Sequence, residues 1–305
     1  MAVTTFPKFA GIGRTSSLLD EELILLGNDP LGTREGRYVS IQKPRDGLLA
    51  MKYTIQNIPL RGPPHQHISL VSKNTLAVIG GKFKSKGKLS KFTWTELSLH
   101  WMNGSNYHAN FVSSCTVKLG VDAHLIFGGE RTIGGQKRSV KEVVKINTTE
   151  EVVYQMEGMK HERAFHGCQL LNSSVVLLSG GLARSEIQQD EFYNITSQET
   201  IQLNLKDSVR RYNHALIRMG EKIFAMGGID SHGNAASKIA EFDPTTNAWN
   251  ELSQELHSTK TTELVATPFP VASLDCVPDC RCGIANKMGR IFGGSETEVR
   301  ITTSL

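Results

Sequence analysis

Short apolar runs that end in glycine return along the chain about once every fifty residues. In order they are Leu23-Ile24-Leu25-Leu26-Gly27, Leu76-Ala77-Val78-Ile79-Gly80-Gly81, Leu125-Ile126-Phe127-Gly128-Gly129, Val176-Leu177-Leu178-Ser179-Gly180-Gly181, Ile223-Phe224-Ala225-Met226-Gly227-Gly228 and Arg290-Ile291-Phe292-Gly293-Gly294. Successive first glycines are separated by 53, 48, 52, 47 and 66 residues (27, 80, 128, 180, 227, 293). Each run reads as a buried strand closed by a turn that a residue with a Cβ fits poorly, so glycine takes the position. A strand-plus-glycine unit at this period marks a repeat architecture.

Other positions keep the same period. Gly81 is followed by Phe92 and Trp101, Gly181 by Tyr193 and Ile201, and Gly228 by Phe242 and Trp249. Each unit therefore reads as two inner strands, the second ending in Gly-Gly, then two outer strands carrying an aromatic or β-branched anchor. The pattern predicts an all-β chain, a six-bladed β-propeller, in a single domain over residues 1–305. Blades are expected near 10–60, 61–107, 108–160, 161–210, 211–258 and 259–305. The last blade lacks a fourth strand, and residues 2–8, with Val3, Thr4, Thr5 and Phe6, are expected to supply it and close the ring. The glycine-paired repeat resembles the kelch family over nearly the whole chain, which implies a fold and not a function.

Composition narrows the class only a little. Hydrophobic residues make up 39% of 305 residues, so the chain is of ordinary globular type. No run approaches a membrane span. No charged stretch followed by an apolar core opens the chain, and there are five cysteines. Those two facts give a reducing compartment with free thiols as the expectation. Cys115 and Cys168 read as small core residues on inner strands. Cys276, Cys280 and Cys282 stand in an insertion, where zinc, a disulfide or free surface thiols are the alternatives and the last is expected. Sequons start at Asn103, Asn147, Asn172 and Asn194, and the last three read as hairpin turns, which favour Asn, Ser and Thr without any glycan.

The formal charge of +4 is small, but its distribution is uneven. In a propeller, the loops from second to third strand and from fourth strand to the next blade share one face. That face is expected to hold most of the bases, among them Arg163, Arg184, Arg210 and Arg211, with fewer acids such as Glu130, Glu162 and Asp190. The other face collects acids. Two loops on the first face stand out. Lys82, Lys84, Lys86, Lys88 and Lys91 fall in ten residues with no acid, and Arg131, Lys137, Arg138 and Lys141 occupy the matching loop of the next blade. Such loops suit a phosphate backbone, because lysine offers a charge without demanding a fixed geometry.

Histidines 65, 67, 108, 166 and 214 come near the starts of first strands. Arg163-Ala164-Phe165-His166 and Arg211-Tyr212-Asn213-His214 repeat one spacing, which suits a structural role at the blade junction better than copper. No nucleophile–base arrangement, phosphate loop or carboxylate pair is legible, so no catalytic residue, metal or cofactor is assigned.

A second resemblance rests on the weak first repeat with its lone Gly27, on Gly80-Gly81-Lys82 followed by Leu89-Ser90, and on Asn286-Lys287-Met288-Gly289 before the last repeat. The chain resembles the accessory, non-catalytic subunit of the V(D)J recombination-activating complex and its transposon-encoded relatives, over the propeller only. That resemblance implies a nuclear protein that does no chemistry. It would dock on a larger catalytic transposase or recombinase subunit and hold flanking DNA by its backbone, with no membrane contact. The alternative is a kelch adaptor: a cytoplasmic ubiquitin-ligase substrate receptor, or an extracellular ligand-binding propeller if a signal peptide has been removed.

Overall fold

The repeats are small antiparallel sheets. The computed structural model describes strand backbone between residues 10 and 101, residues 113–255 apart from 121, 148, 151, 204–209 and 220, and two short strands beyond; side chains are described within 113–253. β1 (Ala10–Leu19), β2 (Glu22–Asn28), β3 (Gly36–Gln42) and β4 (Tyr53–Ile58) form the first sheet, and β5 (His67–Ser72), β6 (Thr75–Ile79), β7 (Ser90–Thr93) and β8 (Ser98–Trp101) the second. The third contains β9 (Cys115–Lys118) and β10 (Ala123–Phe127), then, after a separate hairpin of β11 (Glu130–Ile133) and β12 (Gln136–Ser139), β13 (Val143–Asn147) and β14 (Val152–Met156). The fourth follows the same plan, with β15 (Gly167–Leu170), β16 (Val175–Ser179), a hairpin of β17 (Leu182–Ala183) and β18 (Glu186–Ile187), β19 (Glu191–Asn194) and β20 (Thr200–Gln202).

In the fifth unit β21 (Arg211–Tyr212) pairs with β24 (Ile229–Asp230), beside a sheet of β22 (Ala215–Met219), β23 (Lys222–Met226), β25 (Lys238–Asp243) and β26 (Ala248–Glu255). β27 (Val265–Ala266) and β28 (Ile291–Phe292) form a two-stranded sheet. The described residues are thus all β, in five four-stranded sheets and four two-stranded ones. The expected closing segment 2–8, the lysines of 82–91, His65, His108, Asn103 and Cys276, Cys280 and Cys282 lie outside the described residues or side chains, as do Gly80, Gly81, Gly293 and Gly294.

The second strand of a described blade is buried on both faces, which is why it reads as an apolar run. Side-chain alternation along β16 makes this concrete. Val176 and Leu178 pack toward the third blade with Leu125, Phe127, Val143, Met159 and Tyr193. Leu177, between them, packs toward the fifth blade with Ile223, Ala225, Phe242 and Trp249. Phe127 and Tyr193 meet edge to face at 5.2 Å, as do Phe192 and Phe242 at 6.1 Å. One anchor reading needs correcting. Ile201 is 61% exposed. Phe242 pairs with Trp249 across β25–β26, whereas Tyr193 pairs with Thr200 across β19–β20. Ile201 is therefore one residue out of step with Trp249, and a one-residue step turns a strand side chain to the other face.

Successive blades are tied by a relay through the glycine pairs. In two of the pairs the second glycine donates its N–H to the carbonyl of an arginine in the segment entering the next blade: Gly129 to Arg163 at 2.8 Å and Gly181 to Arg211 at 3.1 Å. That arginine's guanidinium then reaches the first glycine carbonyl of its own blade: Arg163 to Gly180 at 2.9 Å and Arg211 to Gly227 at 3.2 Å. A Cβ on Gly180 would run into the Arg211 carbonyl oxygen, and its φ of +57° lies in the left-handed region. Beside the relay, Phe165 N–H donates to Ser113 C=O and Asn213 N–H to Phe165 C=O, each at 2.8 Å. All three of these residues have φ between 55° and 58°, so one backbone twist repeats at each blade entrance.

Arg163 and Arg211 were expected on the basic face, and Asp190 among its acids. All three are buried. Arg163 also donates to the Gln189 carbonyl at 2.9 Å and to Glu191 at 2.6 Å. Asp190 accepts from Gly180 N–H at 2.9 Å and from Trp249 Nε1 of the next blade at 2.6 Å. Charge at a blade entrance goes inward because the bare carbonyls and amides of the glycine turns need partners that water cannot supply.

The free-thiol expectation also fails for one pair. Cys115 and Cys168 form a disulfide, with Cα atoms 5.8 Å apart. β9 and β15 are first strands of neighbouring blades, so residues 53 apart in sequence stand side by side.

Replacing Arg163 with Met leaves the buried Glu191 without its guanidinium and the Gly180 carbonyl without a donor. The expected loss is about 3–5 kcal/mol in urea unfolding. Arg138→Met, on an exposed hairpin, should stay within about 0.5 kcal/mol of the parent. Equal midpoints for the two variants would refute the relay as a stabilising contact.

Candidate interaction face

At one end of the third, fourth and fifth blades, the loop between second and third strands is built out into structure. In the third blade it is the β11–β12 hairpin, turned by Gly134 and Gly135 with φ of 59° and 80°. Two positive values in a two-residue loop define the turn whose twist matches paired strands. In the fourth blade β17–β18 turns on Arg184 and Ser185, with φ of 50° and 68°. These residues carry a Cβ, so the conformation costs about 1–2 kcal/mol each. In the fifth blade the Asp230 carboxylate folds the loop by accepting from His232 N–H at 2.8 Å and Asn234 N–H at 2.9 Å. Those bonds hold the Asp230 carboxyl below its ordinary value.

The loops form a joined surface. Ser139 Oγ donates to the Leu182 carbonyl at 3.0 Å, which fastens the hairpin of the third blade to that of the fourth. Ile133, just before the Gly134-Gly135 turn, is 48% exposed at the hairpin tip. The sequence reading did not single out Ile133. The available signal was Ile-Gly-Gly-Gln among polar neighbours, which places an apolar side chain at a hairpin tip.

Several of the bases on this face have acidic partners. Arg131 clamps Glu142 through two contacts of 2.7 and 2.5 Å. Lys137 stands 3.8 Å from Glu130, and Arg184 2.9 Å from Glu162. Arg138 and Lys141 are exposed. The structure therefore brings Arg131, Lys137, Arg138 and Lys141 together on one hairpin and its flank, with Arg131 turned inward onto a carboxylate. The lysines at 82, 84, 86, 88 and 91 have no described side chains.

The repeated histidines sit behind this face. His166 and His214 are buried at equivalent blade entrances. The His214 Cβ packs against Gly228, and the His166 Cβ against Gly181. His214 is drawn down to about 3, first by burial and then by Arg211. His124, buried in β10, is drawn down to about 4 by burial and Lys118. Neither ring nitrogen of either residue bonds to protein. Among the described residues, no three His, Cys, Asp or Glu side chains are placed to hold a metal ion.

Residues 210–254 match the Kelch motif. That span covers the fifth blade from Arg211 to β26, including the relay arginine and the Gly227-Gly228 pair. The motif and the strand-rich sheets together fit a kelch-repeat β-propeller. Comparison with curated proteins gives no match.

The histidines make stability depend on pH. As pH falls through about 6.5 the unfolded chain takes up protons that folded His214 and His124 refuse until about 3 and about 4. Stability is therefore full above the unfolded value and drops with pH, by up to ~1.4 kcal/mol per pH unit for each group. Burial raises the Asp190 carboxyl, which works in the opposite sense: its contribution is greatest at low pH and is lost as pH rises. Comparing pH 6.5 with pH 5, His214→Asn should lose less stability than the parent; an identical loss would show that His214 does not titrate as described. Placing Asn-Gly at positions 184 and 185 should raise unfolding free energy by about 1 kcal/mol, read from the urea midpoint. A drop would mean that the Arg184-Ser185 turn is relaxed.

Proposed function

We propose that this protein is a non-catalytic interaction propeller that binds a protein partner on the face carrying the β11–β12 and β17–β18 hairpins. The observation that carries the reading is the joined surface itself. Ile133 presents an apolar side chain at a rigid tip. Ser139 braces the hairpin against the next blade, and an uncommon backbone is held at Arg184-Ser185. Rigid loops on a β scaffold are where binding residues concentrate, and left-handed residues with side chains persist where a function keeps them. A six-bladed closed ring is part of this proposal. It is supported by β27 lying beside β22 on one side and β1 on the other.

The test is partner recovery with face-specific variants. Proteins cross-linked to the full chain in its source cells are identified, and binding of the recovered partner is measured with purified protein. Ile133→Asp and Arg184→Glu should each weaken binding at least tenfold. Glu199→Lys, at the opposite end of its blade, should leave it within twofold. Equal effects from both sets would overturn the assignment of the face.

A narrower reading makes the partner a transposase or recombinase subunit and the face a holder of flanking DNA. It is supported by exposed Arg138 and Lys141 on the hairpin and by the lysine density of 82–91. It predicts DNA affinity that falls with salt, with a log–log slope that shrinks by roughly 0.9 for each phosphate that the R138Q or K141Q variant no longer neutralises. No binding at low salt would end this reading and leave the protein-binding reading intact.

A further inference from the structure

We propose that this propeller carries N-linked oligosaccharides at Asn147, Asn172 and Asn194, with Asn172 the principal site. Three sequons fall within the described blades: Asn147-Thr-Thr149, Asn172-Ser-Ser174 and Asn194-Ile-Thr196. Each stands where one strand turns into the next: Asn147 ends β13 before β14, Asn172 lies between β15 and β16, and Asn194 ends β19 before β20. These turns lie at the end of each sheet opposite the interaction hairpins, and Asn172 is exposed.

The turn uses each asparagine side chain, and each is followed two positions on by a hydroxyl. In all three the carboxamide Oδ1 accepts from the backbone N–H groups at +2 and +3, at 2.9–3.0 Å. Asp243 does the same work in the fifth blade, accepting from Thr245 N–H at 2.8 Å. A carboxylate therefore suffices for the turn. The Asp243 turn also has a hydroxyl at +2, that of Thr245, which bonds the carboxylate; after Asn147, Asn172 and Asn194 the hydroxyl at that position completes an acceptor sequence. A hydroxyl at +2 is what the oligosaccharide-transfer machinery reads. With Oδ1 engaged by backbone, Nδ2 is the atom left pointing off the turn. It displaces the pyrophosphate of a lipid-linked oligosaccharide. The C1–N bond forms, the C1–O bond to phosphate breaks, and one amide proton leaves with the diphosphate.

The Cys115–Cys168 disulfide is independent support. Two thiols must give up two electrons and two protons to a disulfide-exchange oxidant, and such bonds persist in oxidising compartments, where the transfer machinery also works. Glycans at these turns would cover one end of the third and fourth blades and leave the interaction hairpins open. The proposal does not depend on which partner those hairpins bind.

The test uses the full protein recovered from its source cells. Peptide-N-glycosidase should shift its gel mobility and leave aspartate at 147, 172 and 194, read by tandem mass spectrometry. Cys115 and Cys168 should resist alkylation until reduced. Asn172→Gln should remove one step of the mobility shift and keep a cooperative unfolding curve. Bare asparagine at 172 in the recovered protein overturns the proposal. Undiminished partner binding by the hairpin variants, with glycans intact, would count against the interaction face and leave this proposal standing.

Discussion

The described blades depend on one main-chain fact: a strand that ends at a packed junction between sheets must expose carbonyls and amides where water cannot reach them. The glycine pair solves half of this by turning without a Cβ, and at the entrances to the fourth and fifth blades an arginine, Arg163 or Arg211, solves the other half. Its carbonyl takes the second glycine's N–H of the blade before, and its guanidinium takes the first glycine's carbonyl of the blade ahead. Each arginine therefore belongs to two blades. That link fixes the spacing at which Phe127 meets Tyr193 and Phe192 meets Phe242.

Burying a guanidinium is costly unless acceptors meet it, and the two terminal nitrogens of Arg163 have them while its Nε does not. Around Arg163 the acceptors are the Gly180 and Gln189 carbonyls and Glu191, and Glu191 is also bonded by His161 Nδ1 at 2.6 Å. Asp190, the residue before Glu191, spans to the following blade through Trp249. The polar groups that carry the chain from blade to blade are thus contiguous, and they adjoin the β11–β12 and β17–β18 hairpins. A platform braced in this way can hold the strained Arg184-Ser185 turn and an exposed Ile133, which a looser scaffold would bury or relax.

The two ends of the described blades differ in how their turns are made. At the hairpin end the loops are long enough to pair with themselves and with neighbours, and their bases are in part neutralised in place, as Arg131 is by Glu142. At the other end the turns are short and closed by Asn or Asp side chains on the backbone. Charge counted along the chain overstates the basic face, because pairing and burial are both three-dimensional. Arg163 and Arg211 left the surface, and Arg131, Lys137 and Arg184 gained carboxylates.

What the sequence determined by itself was the local content of each repeat. Apolar runs of strand length, the glycine pairs that end them and the period between them follow from backbone sterics and side-chain alternation, and these act within a few residues. Hence the four-stranded blade, its strand order and its hairpin turns at Asn147, Asn172 and Asn194 were legible. Tertiary structure alone decided what depends on neighbouring blades: that Arg163 and Arg211 turn inward, that Ile201 faces out while Trp249 faces in, and that Cys115 meets Cys168. The arginines and the disulfide hang on contacts between segments about fifty residues apart, whereas the face of Ile201 hangs on register within the β19–β20 hairpin. A shift of one residue reverses a side chain's face, and strand pairing decides where the shift falls.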